Sequence, residues 1–459
     1  MLKFIVMLFT MFTIFLTSYG CTVSEPHMVK DINPDINSSS PKHLIGYNGK
    51  LYFSADDGTQ GVELWVSDGT DAGTSLIKDI NPDISSSSPE HLIEYNGKLY
   101  FSADDGTQGV ELWVSDGTED GTYLIKDINP GIYNSRPLYF TECNGKLYFN
   151  ADDGTHGSEL WVSNGTEAGT YMVKDSNPGI NGSYPLYFTE CNGKLYFNAD
   201  DGTHGSELWV SDGTEAGTYM VKDFYPGIYG SYPQFITTYK GKLYYSARDD
   251  IHGSELWVND GTEAGTYMVK DINPGISGSG PMHITECNGK LYFNASDGTH
   301  GSELWVSDET EAGTYLIKDI FPGTDSSGPM YITEYQDKLY FNAYDEYYGA
   351  LWVSDGTEDG TYTIKYVIPI INNTTTYLGD KLTQYNGKLY FGAYNNKYGN
   401  ELWVSDGTED GTYLVKDINP GPRLNSSSPM YITKYKGKLY FSADDGLHGM
   451  ELWVVAGGW

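Results

Sequence analysis

The string Glu-Leu-Trp-Val-Ser-Asp-Gly-Thr returns at near-constant intervals along this chain, and that period limits the fold more than any other feature. Its tryptophan stands at Trp65, Trp113, Trp161, Trp209, Trp257, Trp305, Trp352, Trp403 and Trp453, with spacings of 48, 48, 48, 48, 48, 47, 51 and 50 residues. A period of this length marks a repeat architecture. Each copy is one supersecondary unit that cannot bury its own apolar face and leaves that to its neighbours. Length alone would divide 459 residues into about three domains. The repeat runs from His27 to the last residue without a linker and replaces that expectation with a single unit.

One copy reads as four short strands. Leu186 to Cys191 is an apolar-aromatic run, Asn192-Gly193 a two-residue hairpin signal, and Lys194 to Ala199 a second strand. Asp200 to Gly205 turns, Glu207 to Ser211 is a third strand, Asp212 to Thr218 turns again, and Tyr219 to Asp223 is a fourth. A Pro/Gly/Ser connector from Pro226 to Pro233 leads to the next copy. The aromatic content of 15%, with 40 Tyr and 55 Gly, suits strands and tight turns. Four antiparallel strands in such a period are the mark of a β-propeller blade, against an open solenoid of stacked sheets as the rival.

The chain ends favour the ring. His27 to Ile32 reads as a fourth strand with no blade before it, and Met450 to Val455 as a third strand with no fourth after it. Each orphan completes the other and removes an exposed sheet edge. First strands at Leu44, Leu92, Tyr139, Tyr187, Phe235, Ile284, Ile332, Leu382 and Ile432 make nine blades, more than the 4–8 usual for propellers. The expectation is therefore all-β: one large propeller of nine four-stranded antiparallel blades, over residues 27–459, closed by the N-terminal strand.

The N-terminus reads as a targeting segment. Lys3 precedes an apolar run from Phe4 to Leu16, too short to span a bilayer, and Ser18-Tyr19-Gly20 supplies small residues before Cys21. Residues 1–20 are expected to be a signal peptide and 21–26 a short tether. The pattern resembles a lipoprotein signal with Cys21 as the lipidated end, although Ser18 stands where such signals usually carry Leu; ordinary cleavage before Cys21 is the alternative. The expected location is secreted or on the cell surface as an outer-membrane lipoprotein, with membrane contact only through that anchor. The other cysteines, Cys143, Cys191 and Cys287, share one repeat position that elsewhere holds Tyr47, Tyr95, Tyr239, Tyr335, Tyr385 and Tyr435, as a packing site would. No CxxC spacing points to zinc.

The string resembles the ELWxxDGT repeat family of bacterial extracellular proteins. Eight copies keep Glu-Leu-Trp; the seventh reads Gly349-Ala350-Leu351-Trp352, the sixth has Glu309 in place of its turn Gly, and the ninth stops before Asp-Gly-Thr. The resemblance implies an exported repeat protein and no particular activity.

The net charge of −34 excludes nucleic acid and anionic membrane as natural partners and suits a soluble exported surface. The recurrent Trp is read as packing between blades. The Asp-Gly-Thr turn is read as a hairpin, Asp accepting local backbone bonds and Gly taking positive φ; calcium is a possible second use of its oxygens, although the spaced carboxylates of a calcium loop are missing. The turn between strands two and three shares a face with the connectors. It carries the Asp pairs Asp56-Asp57, Asp104-Asp105, Asp152-Asp153, Asp200-Asp201 and Asp444-Asp445, and also His156, His204, His252, His300 and His448, so that an Asp and a His four residues on stand together, as at Asp200 and His204. These are divalent-metal donors in kind, yet an Asp-Gly hairpin with an exposed His accounts for them, and Gln60 and Gln108 replace two. No resident cofactor or metal centre is expected.

Catalysis needs one asymmetric constellation, and most polar residues here recur as copies; no nucleophile elbow, phosphate loop or HExxH is present. The reading is a monomeric, non-enzymatic binding or adhesion scaffold for an extracellular glycan or protein, with a structural surface-layer component or a propeller-borne glycan hydrolase as alternatives. Symmetry breaks at the seventh and eighth copies. The loop Ala-Asp-Asp-Gly-Thr-His-Gly becomes Ala343-Tyr344-Asp345-Glu346-Tyr347-Tyr348-Gly349 and then Ala393-Tyr394-Asn395-Asn396-Lys397-Tyr398-Gly399. Tyr344, Tyr347, Tyr348, Tyr394, Asn395, Asn396 and Tyr398 form the candidate ligand site, since aromatic faces and amides suit sugar rings. Drift in a Tyr-rich chain is the competing account. The connector from Tyr366 through Thr376 to Gly379 is also the most altered.

Overall fold

The computed structural model describes residues 24–369, 382–421 and 425–456, with backbone alone at 368 and 369. Nine antiparallel sheets follow one another around a β-propeller, and no helix occurs among the described residues. The fourth blade is typical: Leu186–Cys191, Lys194–Asp200, Ser206–Ser211 and Tyr219–Lys222 pair in that order. First strands of neighbouring blades lie against each other around the axis, so they are innermost. In the eighth blade the innermost strand is in two pieces, Ile368–Pro369 and Thr383–Tyr385, both paired to Lys388–Asn395. The sequence reading had a single strand beginning near Leu382. Two ladder pairs at Ile368–Pro369 restore the inner edge that the altered connector interrupts.

The blades stand face to face because their two central strands are apolar on both sides. Alternation then sends each side chain to one neighbour or the other. Leu195, Phe197, Ala199 and Trp209 pack on Cys143, Tyr148, Leu160, Val162 and Val173 of the third blade. Tyr196, Leu208 and Val210, between them, pack on Leu243, Tyr245, Ala247 and Trp257 of the fifth. Burying a Leu or Phe contributes about 1.5–3 kcal/mol over exposure, and the pattern recurs at nine interfaces, so the core is interblade. The recurrent Trp lies there, as expected, 5–7% exposed in every copy. Cys143, Cys191 and Cys287 are free and buried. Tyr95 and Tyr385, at the same repeat position, reach the next blade's hairpin and donate to Gly145 O and Gly437 O at 2.7 Å.

His27–Lys30 pairs with Met450–Ala456 as the outer strand of the ninth blade. Val29, Ile32, Leu452 and Val454 of that blade meet Leu51, Phe53, Ala55 and Trp65 of the first. Gly49 N donates to Tyr435 Oη at 2.6 Å across the same junction. Outside, Lys416 donates to Pro26 O at 3.1 Å, as Lys126 does to Thr170 O at 2.7 Å. The ring is shut by strand pairing and by an apolar interface of the kind that joins the other blades.

The turns follow their chemistry. Asn192 and Gly193 take φ of 52° and 74°, the left-handed pair that a two-residue hairpin needs. At the Asp-Gly-Thr turn Thr214 N and Thr214 Oγ1 donate to Asp212 Oδ1 at 2.9 and 2.7 Å, and Ser211 and Thr218 hydroxyls meet at 2.7 Å. That side of the ring is the hairpin face; the opposite one is the connector face.

Candidate functional site

Three sets of residues shape the connector face and the axis: a buried carboxylate under each connector, a group of tyrosines over blades 7 and 8, and an aromatic collar.

The Glu of each Glu-Leu-Trp copy is fully buried and bonded to the connector that leaves its own blade. Glu111 accepts from Ser135 Oγ (2.6 Å), Ser135 N (2.9 Å) and Ile128 N (2.8 Å). Glu63, Glu159, Glu207, Glu255, Glu303, Glu401 and Glu451 bond Ser87, Ser183, Ser231, Ser279, Ser327, Ser427 and Ser39 in the same way. Burial is the dominant influence on these carboxyls and raises Glu63, Glu111, Glu207, Glu255, Glu303 and Glu451 to about 7 despite their donors. Sequence reasoning assigned this Glu no role. The signal was present: a Glu with a Ser 24 residues on in each of the first six copies, both lost around Ala350.

Blade 7 is therefore the one with no such pin under its connector, and the tyrosines gather there. Tyr344, Tyr347 and Tyr348 are 42%, 71% and 66% exposed. Asp345 Oδ1 accepts from Tyr347 N and Tyr348 N at 2.9 Å, so it shapes the turn. Tyr366, opening the altered connector, packs edge-on against Tyr348 at 6.4 Å and donates to Asp345 Oδ2 at 3.0 Å. That bond, with burial second, raises the Tyr366 phenol above its ordinary value. Two residues on, Ile368 pairs with Tyr394. The opening of the connector thus links both altered turns. In blade 8, Asn395 Oδ1 accepts from Lys397 N and Tyr398 N at 3.0 and 2.8 Å; Asn396 is exposed; and the Lys397 ammonium lies 4.5 Å from the Tyr398 ring centre. Asn395 is a turn former, as Asp201 is elsewhere. The stretch from residue 370 to Gly379 lies outside the described residues, as does Cys21 with the rest of the N-terminal segment.

The Asp and His residues of this face pair with each other. His204 Nδ1 meets Asp201 Oδ2 at 2.7 Å, three residues back, while Asp200 Oδ1 accepts from Gly202 N at 2.7 Å. The partner is thus the second Asp of the pair, not the first, because the first is held by the turn glycine. The same pairing recurs at His156, His252, His300 and His448, and the bond to Asp raises each imidazole. Among the described residues no three His, Cys, Asp or Glu side chains converge as a metal ion would require.

The collar was not singled out from sequence. The second residue of eight first strands is aromatic: His43, His91, Tyr139, Tyr187, Phe235, His283, Tyr331 and Tyr431. Each has φ between 53° and 60°, beside a break in strand register. Bulky residues rarely enter this left-handed region. His43 lies 6.1 Å from both His91 and Tyr431, and Phe235 lies 6.4 Å from Tyr187 and 5.7 Å from His283, which is 5.4 Å from Tyr331. All eight are half-buried. Burial is the main cause that lowers the three imidazoles, His43 to about 4.

No protein-family model matches the chain, and no curated protein matches it. Solved structures with a similar chain trace include a puromycin hydrolase (TM-score 0.38, 12% identity, 79% of this chain and 59% of that one). A prolyl endopeptidase matches at TM-score 0.43 and 12% identity, over 81% of this chain and 54% of that one. The β-propeller domain of the Trilobed protease from Pyrococcus furiosus, described as having an open velcro topology, matches at 0.36 and 12%, over 72% and 99%. The chain spans between about half and three fifths of the first two. Likeness at this level carries no residue-level correspondence.

Proposed function

We propose that the chain is an exported, non-enzymatic scaffold that binds glycan on its connector face over blades 7 and 8. The observation that carries this reading is the exposure of Tyr344, Tyr347 and Tyr348 at 42–71% in the one blade that lacks the buried Glu. Exposed rings beside the amide of Asn396 offer stacking area and hydroxyl-reading groups together. A broken repeat is also where a unique site can form on an otherwise equivalent ring.

A hydrolase would use carboxyls of raised pKa facing a cleft. Here the carboxyls raised towards neutrality are fully buried and spent on connector bonds, which favours binding over catalysis. The resemblance to ELWxxDGT proteins and the leader-like N-terminus support export. Ser24 bonds Ala456 O on the hairpin face, so a lipid on Cys21 would leave the connector face turned outward.

The test is a glycan array and pull-down with the protein and with a variant carrying Tyr347, Tyr348, Tyr394 and Tyr398 all changed to Ala. At about 0.5–1.5 kcal/mol per stacked ring, loss of at least tenfold in affinity is expected. A folded variant that binds the selected glycan as well as the parent places the site elsewhere.

A further inference from the structure

A second break in the repeat lies away from blades 7 and 8, where the connector leaving blade 4 crosses the turn between strands two and three of blade 5. In sibling copies an Asn of the connector lies against a Gly of that turn. A Cβ on Gly202 would come within 2.6 Å of Asn177 Oδ1, and Asp200 Oδ1 accepts from Gly202 N at 2.7 Å. At blade 5, Tyr225 stands for the Asn, Asp250 for the Gly, Arg248 for the first Asp and Ile251 for the Thr. The changes meet in space. The Arg248 guanidinium carbon lies over the Tyr225 and Tyr232 rings, 5.3 and 4.7 Å from their centres. Arg248 Nε donates to Gly230 O at 3.0 Å and Nη2 to Tyr229 O at 2.8 Å.

Two consecutive carbonyls and two rings thus fix the plane of one guanidinium. That group has five N–H donors in a rigid plane. The carbonyls take one from Nε and one from Nη2. The outer edge, between Nη1 and Nη2, still presents two N–H groups side by side, the spacing that a carboxylate accepts bidentately. Among the described residues no carboxylate pairs with Arg248, although the chain holds 62 Asp and Glu against 28 Lys and Arg. Its neighbour Asp249 is engaged by His252 Nδ1 at 2.8 Å, and Asp250 is exposed.

We propose that Arg248 is a preformed fork for the C-terminal carboxylate of an extracellular peptide or protein that ends in an apolar residue. The site shares no residue with the tyrosine group over blades 7 and 8. Its surroundings choose the body of the ligand. Ile228 and Tyr229 on the connector and Ile251 on the turn are 71%, 62% and 63% exposed. The exchanges of Asn for Tyr225 and Thr for Ile251 remove an amide and a hydroxyl that a sugar would use and add apolar surface. These side chains stand open to solvent, which suits a chain end laid across the face more than a small acid enclosed on all sides. The net charge of −34 opposes a polyanion, so a single carboxylate fits best.

The test follows the Nε–H signals of isotope-labelled arginine. The chain has three arginines, Arg136, Arg248 and Arg423, and single Arg→Lys variants assign them. The probes are the peptide acetyl-Ala-Ala-Phe with a free C-terminus, the same peptide amidated, phenylpropionate and trigalacturonate. The free-acid peptide is expected to shift the Arg248 signal saturably and leave Arg136 in place, and the amide to shift neither. By calorimetry, Arg248→Lys, which keeps the charge and loses the fork, should bind the acid peptide about tenfold more weakly. Ile251→Thr, which restores the residue of the sibling copies, should bind it about threefold more weakly. An Arg248 that only pins the connector would lower the unfolding temperature when replaced, while its signal in the unaltered protein ignored every probe. That result overturns the proposal, as do equal shifts by acid and amide. A shift by trigalacturonate alone also overturns it and makes the ligand an acidic sugar; phenylpropionate binding as tightly as the peptide overturns it in favour of a small acid. If Arg248→Lys does not fold, the other two variants assign the signal by difference, and Ile251→Thr with the acid–amide pair decides.

Discussion

Ser135 donates its hydroxyl to Glu111 Oε2 across 2.6 Å, inside an interface where Glu111 has no exposed surface. This contact ties the connector between the second and third blades to the strand that carries Trp113. Removing the carboxyl strands two backbone N–H groups and a hydroxyl. Glu111→Ala should cost about 2–4 kcal/mol and raise amide exchange at Ile128 and Ser135. Unchanged protection at both amides would show that the carboxylate does not hold the connector.

Stability should rise as pH falls from 8 towards 5. All eight buried Glu carboxyls are raised above their unfolded value. Their stabilisation is complete below about 4.5 and lost as pH rises towards 7. The five Asp-paired imidazoles, raised by those bonds, act in the same direction at somewhat higher pH. His43, His91 and His283, lowered by burial, oppose it below about 6.5 but are fewer. Urea midpoints at pH 5.5 and 8 measure the balance. A flat or reversed profile contradicts the assignment of these groups, and Glu207→Gln should reduce the slope.

Closure has a sensitive position. Gly46 stands in the first blade where other copies carry a longer side chain, and a Cβ there would lie 1.8 Å from Tyr435 of the ninth. Gly46→Ala should lower the unfolding temperature, as should deletion of His27 to Asn33. If both variants melt with the parent protein, the junction contributes nothing to the ring.

The three buried thiols should be inert. Burial raises Cys143 and Cys287 to about 11 and Cys191 in the same direction, which leaves little thiolate at neutral pH. With Cys21→Ser to remove the fourth, a thiol reagent should label no cysteine in the native protein and three in urea. Labelling in the folded state would mean that the interfaces open readily.

Local chemistry made much of this protein legible from its residues. Asn192-Gly193 signals a hairpin because such pairs accept two left-handed angles in succession at little cost. Asp212-Gly213-Thr214 turns by its own side-chain bonds, and the unbroken apolar run of Leu195 to Phe197 fits a strand buried on both faces. Period and complementary ends then determined nine blades. The candidate tyrosines were visible because they break a repeat, but the link from Tyr348 to Tyr366 and from Ile368 to Tyr394 needed the fold. Glu111 looked like part of a strand motif until its partner, 24 residues away, appeared beside it. The collar was least legible: His43 and Tyr431 are 388 residues apart in the chain and 6.1 Å apart at the axis. Nothing in one repeat says that its second residue will lie against the same residue of the next blade. Only closure of the ring, a non-local event, brings those positions to a common axis and makes a lining from what each copy carries singly.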